Sequence, residues 1–192
     1  GTCGSPTIYG CTNPNALNYD PNATFDNGSC NFLKTYMPDD IFEAWCEGNG
    51  YGDGIAFNDS VSTFAISVPN QIDIGGKSIM DLTGIEAFTN LEYVYADNNL
   101  FQVADLRHNH RLRDFDIGNN DSLRQVYFPD TMVTNQGFHN YTIYEPGLGY
   151  VYIDDCPNLD TLILPSYSIY YLRVRDNYNL SFLDLSGQEY MD

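Results

Sequence analysis

A repeated spacing of apolar residues in the second half of the chain is the sequence feature that most restricts its fold. In each copy, an apolar residue is followed three and five positions later by two more, and eight positions later by Asn or Cys. Self-similarity at a fixed period is the signature of a solenoid, in which each repeat packs only on its neighbours. We therefore expect residues 68–192 to stack as successive turns. The copies start at Leu91, Leu112, Leu148 and Ile169, and a weaker first copy uses Ile72, Ile74 and Lys77.

One column of this repeat holds Asn99, Asn120, Cys156 and Asn177. Asn and Cys alternate there in leucine-rich repeats, where both side chains serve the buried backbone at the corner after each strand. The sequence therefore predicts a leucine-rich-repeat solenoid with short parallel β-strands and an irregular or 3-10 convex side. On this interpretation Cys156 is a structural thiol and not a nucleophile.

The spacing of the copies is interrupted once. Their first residues lie 21, 36 and 21 positions apart. The long middle interval predicts an insertion near 129–147, and loops of that length are often functional.

Alternation along each predicted strand identifies the side chains that point away from the core, on the concave side of such a solenoid. Most of them are Tyr or Asp, and the last two are Arg. Tyr combines apolar area with a hydrogen-bonding tip, which suits protein or glycan recognition, although exposed strand positions also favour aromatic residues for structural reasons alone. The two arginines have an alternative use as ion-pair partners of Asp154 and Asp176. The candidate ligand-binding residues are Tyr93, Tyr95, Asp97, Asp114, Asp116, Tyr150, Tyr152, Asp154, Tyr171, Arg173 and Arg175, with Gln71, Asp73 and Gly118 at equivalent outward positions.

Residues 1–33 form a separate segment that is rich in Asn, Asp, Pro and Gly, the residues of turns. Since so polar a segment cannot build a core, we expect a Cys11–Cys30 disulfide to close it, worth about 3 kcal/mol in the chain-entropy model. Oxygen-bearing side chains at every second position predict a calcium site and plain turn capping equally well. The candidate metal ligands are Asp20, Asn22, Thr24 and Asp26.

The region 34–67 is predicted to cap the solenoid with one helix over 37–47. Asp39 and Asp40 are suitable N-cap residues, and a run of alternate glycines follows the helix. With Cys156 set aside, a Cys3–Cys46 disulfide would complete an oxidised set, while an unpaired Cys3 would be able to bridge to a neighbouring chain.

Two stretches resemble known families. Residues 10–14, 18–24 and 26–30 resemble short Cys-bounded modules of surface proteins from Bacteroidetes-type bacteria and some of their viruses. Residues 37–42 and 81–91 resemble the start of Bacteroidetes-type surface leucine-rich repeats and of internalin-like proteins. The resemblance implies an extracellular spacer, with calcium as its implied cofactor, followed by a helix-capped solenoid.

Composition restricts the partners of the chain. The formal net charge is −18, with 8 basic against 26 acidic residues. Binding to a phosphate backbone depends on Lys and Arg, so nucleic acid and anionic membrane surfaces are poor partners. No apolar run is long enough to insert into a membrane. The density of cysteine near the start favours a secreted protein or one on a cell or virion surface.

No motif for catalysis stands out in the sequence, so we expect a protein without enzymatic activity. The leading hypothesis is a recognition or adhesion module that binds a protein or glycan through its Tyr/Asp-rich side. The alternative is a structural subunit of an extracellular filament, sheath or viral particle, in which the tyrosines and the insertion make contacts between subunits.

Overall fold

The structure is a computed structural model and describes residues 6–131 and 147–185. The predicted insertion near 129–147 lies almost wholly outside these residues. None of the helices in the described part has the length and hydropathy needed to cross a bilayer.

The N-terminal segment is held by turns and one disulfide. Strand β1 (Tyr9–Gly10) pairs in parallel with β2 (Phe25–Asp26). The predicted Cys11–Cys30 disulfide is confirmed, and Cys11 is buried. Because most other side chains of the segment are exposed, this covalent bond takes the place of a hydrophobic core.

The capping region consists of two helices and an antiparallel pair of strands. Strand β3 (Lys34–Tyr36) pairs with β4 (Ser60–Ser62), helix α1 spans Asp40–Gly48 and the short helix α2 spans Thr63–Ile66. The predicted helix is present, and Asp39 is its N-cap, accepting hydrogen bonds from the backbone N–H groups of Ile41 and Phe42. The hairpin and α2 were not expected from the sequence, because each is too short to show a periodic pattern.

Within the described residues, the solenoid has nine strands. They are β5 (Gln71–Asp73), β6 (Tyr93–Tyr95), β7 (Val103–Asp105), β8 (Asp114–Asp116), β9 (Gln125–Tyr127), β10 (Gly147–Tyr152), β11 (Thr161–Ile163), β12 (Ser168–Arg173) and β13 (Phe182–Asp184). One parallel sheet contains five of them in the order β12-β10-β8-β6-β5. The predicted leucine-rich-repeat solenoid with short parallel strands is thus confirmed, with one turn for each strand of this sheet.

The opposite side of the solenoid differs from the expectation of an irregular or 3-10 convex side. The first turn does carry a 3-10 helix, Ile85–Ala87. In later turns β7 pairs with β9 and β11 pairs with β13, both in parallel. The reason is a second alternating pattern: Val126 and Phe128 are buried, whereas Tyr127 between them is exposed. A period of two places such residues on a strand rather than on a helix.

The column of Asn and Cys forms a buried ladder along one corner. Asn120 donates through Nδ2 to the carbonyl oxygens of Ala96 (3.1 Å) and Ile117 (2.6 Å), and its Oδ1 accepts the backbone N–H of Asn99 at 2.8 Å. Asn177 accepts the N–H of Cys156 in the same way. Each rung therefore ties its own corner to the preceding turn and satisfies backbone groups that water cannot reach.

The residue before each rung has a left-handed backbone. The φ angles are 55° at Asn98, 56° at Asn119, 53° at Asp155 and 57° at Asp176. Asn and Asp tolerate this conformation better than other residues with a Cβ atom. Their recurrence before the rungs follows from the geometry of the corner.

The two free cysteines among the described residues are both buried. Cys156 donates its thiol to the carbonyl oxygens of Asp154 and Ile117, and burial raises its pKa to about 11, which agrees with a structural thiol. Cys46 is also a free thiol, 3.7 Å from the sulfur of Met37. The predicted Cys3–Cys46 disulfide is therefore wrong, because α1 turns Cys46 into the apolar core. Cys3 lies outside the described residues.

Candidate recognition surface

The outward side chains of the five-stranded sheet form one continuous surface, which we call the Tyr/Asp face. Strand register places Tyr93 beside Asp114, Tyr95 beside Asp116 and Tyr152 beside Arg173. The predicted ligand-binding residues therefore share one surface, and all except Asp154 are half-buried or exposed. The face comprises Gln71, Asp73, Tyr93, Tyr95, Asp97, Asp114, Asp116, Tyr150, Tyr152, Asp154, Tyr171, Arg173 and Arg175.

Tyrosines are concentrated where β10 and β12 pair. The rings of Tyr150 and Tyr152 are stacked with centroids 6.3 Å apart, and Tyr171 lies 5.8 and 5.7 Å from them. These separations fall in the range of favourable aromatic pairs. The cluster is therefore a packed aromatic platform with its outer edges open to solvent.

Tyr170 is a fourth member of this cluster that the sequence analysis missed. It is 51% exposed, and its ring meets that of Tyr150 edge-on at 5.8 Å. The repeat has two residues between its first and second apolar positions, and strict alternation assigned only the second to the outer surface. Gly149 occupies the equivalent position of β10, where an added Cβ atom would lie 2.5 Å from Oδ1 of Asp114.

Asp154 has a different role from the other carboxylates. It is 5% exposed and forms an ion pair with Nε of Arg173, while its two oxygens accept from the backbone N–H (3.0 Å) and Nη2 (3.4 Å) of Arg175. The alternative use of both arginines as ion-pair partners is thus confirmed for Asp154. Arg173 also lies over the ring of Tyr152, with its guanidinium carbon 4.6 Å from the ring centroid.

Asp114 and Asp116 lie in the middle of the face, and neither forms an ion pair with a described residue. Asp114 accepts the backbone N–H of Tyr150 at 3.0 Å, and Asp116 accepts that of Gly118 at 3.1 Å. Burial raises the pKa of Asp114, and burial together with the charge of Asp97 raises the pKa of Asp116. The ionised form of each carboxyl is thus less favourable in the folded protein than in the unfolded chain.

We expect the double substitution Asp114→Asn/Asp116→Asn to raise the melting temperature at pH 7. Asn retains the accepting oxygen but carries no charge. A carboxyl with a raised folded pKa costs stability as the pH rises above its unfolded pKa, and the cost is complete above its folded pKa. The gain should therefore shrink on acidification and vanish below the unfolded value of about 3.9. Thermal denaturation followed by circular dichroism between pH 3 and 8 checks this. A lower melting temperature at pH 7 would show that the negative charges stabilise the fold.

Three of the candidate calcium ligands accept hydrogen bonds from backbone N–H groups. Asp20 accepts the backbone N–H of Asn22 at 2.9 Å, Thr24 that of Ile8 at 3.0 Å and Asp26 that of Gly28 at 2.8 Å. The bonds of Asp20 and Asp26 are the turn capping that was the alternative to calcium binding, whereas that of Thr24 joins two segments 16 residues apart. Calcium stays a prediction.

A trio of carboxylates that the sequence analysis did not single out lies beside α1. The oxygens of Asp40, Glu43 and Asp59 lie within 4.8 Å of one another. Glu43 is fully buried and accepts the backbone N–H groups of Asn58 and Asp59, each at 3.0 Å. These bonds give Glu43 a structural role in holding the loop after α1.

Parallel turns, inward apolar columns and a corner ladder of Asn and Cys define a leucine-rich-repeat solenoid, with an outer face of tyrosine and carboxylate. No family model matches the chain, and no curated protein matches it. Among solved structures it is similar to an internalin, InlF, of Listeria monocytogenes, with 18% identity and a TM-score of 0.39 over 82% of this chain and 58% of the other. It is also similar to the functional domain of InlJ of Listeria monocytogenes, which includes a cysteine ladder, with 17% identity and a TM-score of 0.40 over 82% and 48%. The chain spans about half the length of these two structures.

Proposed function

We propose that this protein is an extracellular, non-enzymatic recognition or adhesion module that binds a protein or glycan through the Tyr/Asp face. The observation that carries this proposal is the tyrosine cluster on β10 and β12, whose four rings lie within 6.3 Å of a neighbour at the surface of a paired sheet. The Cys11–Cys30 disulfide supports an oxidising compartment.

The cluster has the physical properties of a binding hot spot. Tyr150 and Tyr171 are 42% and 37% exposed, so each still offers apolar area and a hydroxyl group to a ligand. Packing against other rings restricts the tyrosines before binding, so little conformational entropy is lost when a ligand docks. Arg173, on the next strand, lies over the ring of Tyr152 and forms an ion pair with Asp154, and these contacts restrict the ring.

Binding is tested by selecting ligands from a displayed random-peptide library and from a glycan array, and then measuring each ligand with variants. We expect Tyr152→Ala and Tyr95→Ala to lose about 2 kcal/mol of binding free energy, or about 30-fold in affinity, as hot-spot residues do. Tyr178→Ala is the matched control, since Tyr178 is 82% exposed and follows β12 outside the face. Ligands that bind both face variants as tightly as the control would contradict the proposal.

A second experiment separates recognition from the alternative function as a structural subunit. Analytical ultracentrifugation of the unmodified protein is compared with Tyr152→Ala. Concentration-dependent oligomers that the substitution dissolves would assign the tyrosine cluster to contacts between subunits of a filament, sheath or particle. A monomer that binds selected ligands supports recognition.

A further inference from the structure

The C-terminal half of the Tyr/Asp face already shows how this surface holds a cation. The guanidinium group of Arg173 lies over the ring of Tyr152, and its Nε meets the carboxylate of Asp154. A cation on an aromatic face beside a carboxylate combines two attractions, which reinforce one another when water is partly excluded.

The N-terminal half of the face repeats this arrangement without the cation. Tyr95 on β6 stands in register with Asp73 on β5 and with Asp116 on β8. At the position where β12 supplies Arg173 to Tyr152, β8 supplies Asp116 to Tyr95. The ring of Tyr95 therefore has carboxylates on both neighbouring strands and no basic residue in register with it.

The negative charge on this half of the face is not balanced by direct ion pairs. Arg113 acts on Asp114 and Arg173 acts on Asp116, but their charges do not outweigh the burial that raises the pKa of both carboxyls. Within residues 6–131 and 147–185, Asp73, Asp97, Asp114 and Asp116 make no ion pair within 4.0 Å. Burial and the charge of Asp114 raise the pKa of Tyr95, which is a further sign of a negative potential at its ring. A partner that carries positive charge would lower the energy of all these groups together.

The layout of the carboxylates indicates the kind of cation. They are spread over three strands about 4.8 Å apart, and they do not converge on one point. In the part of the chain that the structure describes, three acidic ligands converge only at Asp40, Glu43 and Asp59, away from the face. Several separate cationic groups, as on a basic polypeptide, match this layout, whereas one metal ion does not.

Resting on the proposed function, we infer that the ligand of the Tyr/Asp face is a basic segment of a protein, with an Arg or Lys side chain lying over Tyr95 between Asp73 and Asp116. Further basic side chains of the segment meet Asp97 and Asp114. The tyrosine cluster on β10 and β12 then receives the apolar part of the same partner.

The probe for this inference is a fluorescein-labelled octa-arginine peptide, with octa-citrulline as its neutral isostere, measured by fluorescence anisotropy at about 50 mM salt, where surface charge is only partly screened. We expect the citrulline peptide to bind at least about tenfold more weakly, and Asp114→Asn/Asp116→Asn to weaken the arginine peptide by a similar factor. Tyr95→Leu should weaken it by about fivefold through loss of the cation–π contact.

The matched control is Asp121→Asn/Asp160→Asn, which changes the net charge equally at two exposed carboxylates outside the face. Equal losses in the two double variants would overturn the inference, because the net charge of −18 would then attract the peptide without a site. Failure of this inference can be distinguished from failure of the proposed function. Ligands selected as above that depend on Tyr152 but carry no basic residue and ignore Asp114→Asn/Asp116→Asn would overturn only the basic partner. Ligands that depend on neither tyrosine would overturn the proposed function.

Discussion

Replacing Asn120 with alanine should lower the free energy of unfolding by about 4 kcal/mol, since buried backbone groups then lose their partners. Asn120 is completely buried, and its amide links the carbonyl oxygens of Ala96 and Ile117 to the N–H of Asn99. Alanine reaches none of these groups. Chemical denaturation followed by circular dichroism measures the loss.

Two further variants make this test specific to the ladder. Asn120→Cys should cost about half as much as alanine, because Cys156 occupies the same column and donates to a backbone carbonyl. Asn179→Ala, at an exposed position, should change stability by less than about 0.5 kcal/mol. A loss below about 1 kcal/mol for Asn120→Ala would show that the corner does not need its ladder.

Replacing Asp39 with alanine should lower the free energy of unfolding by about 3 kcal/mol and loosen the cap from the first turn of the solenoid. One oxygen of Asp39 accepts the N–H groups of Ile41 and Phe42 at the start of α1. The other accepts those of Met80 (2.7 Å) and Asp81 (3.1 Å). One side chain thus joins two elements that are 41 residues apart in sequence.

Hydrogen exchange locates this effect, and two variants control for it. The amides of Met80 and Asp81 should exchange faster in Asp39→Ala than in the unmodified protein, because their acceptor is gone. Asp39→Asn keeps one accepting oxygen and should cost about half as much. Asp40→Ala removes the neighbouring carboxylate but not the cap and should be nearly neutral. Unchanged exchange at both amides in Asp39→Ala would contradict the link between cap and solenoid.

The repeat was predictable because a solenoid is held together by contacts between adjacent turns. The spacing of Leu91, Val94 and Ala96 relative to Asn99 predicts both the inward apolar columns and the corner ladder. No long-range pairing has to be known to infer that such copies stack. The N-cap Asp39 and the Cys11–Cys30 disulfide could be predicted for the same reason, because helix capping and short covalent loops depend on residues close in sequence.

The features that could not be predicted from the sequence depend on which side chains from different turns come into contact. Tyr170 joins the aromatic cluster through its contact with Tyr150 on the adjacent strand. Cys46 is free because its helix faces the apolar core. The strands on the opposite side need two successive turns with the same alternation before they pair.

By itself, the sequence determined that this chain is a capped leucine-rich-repeat solenoid with tyrosines and carboxylates on its outer strand positions, because those properties follow from periodicity within each repeat. Only the tertiary structure decided which of these outer carboxylates are paired with arginine and which are not. Asp154 is buried and forms ion pairs with Arg173 and Arg175, so its negative charge is balanced within the protein. Asp114 and Asp116 have no such partner among the described residues. Register between neighbouring strands makes this distinction, since it brings Arg173 to Tyr152 and Asp116 to Tyr95.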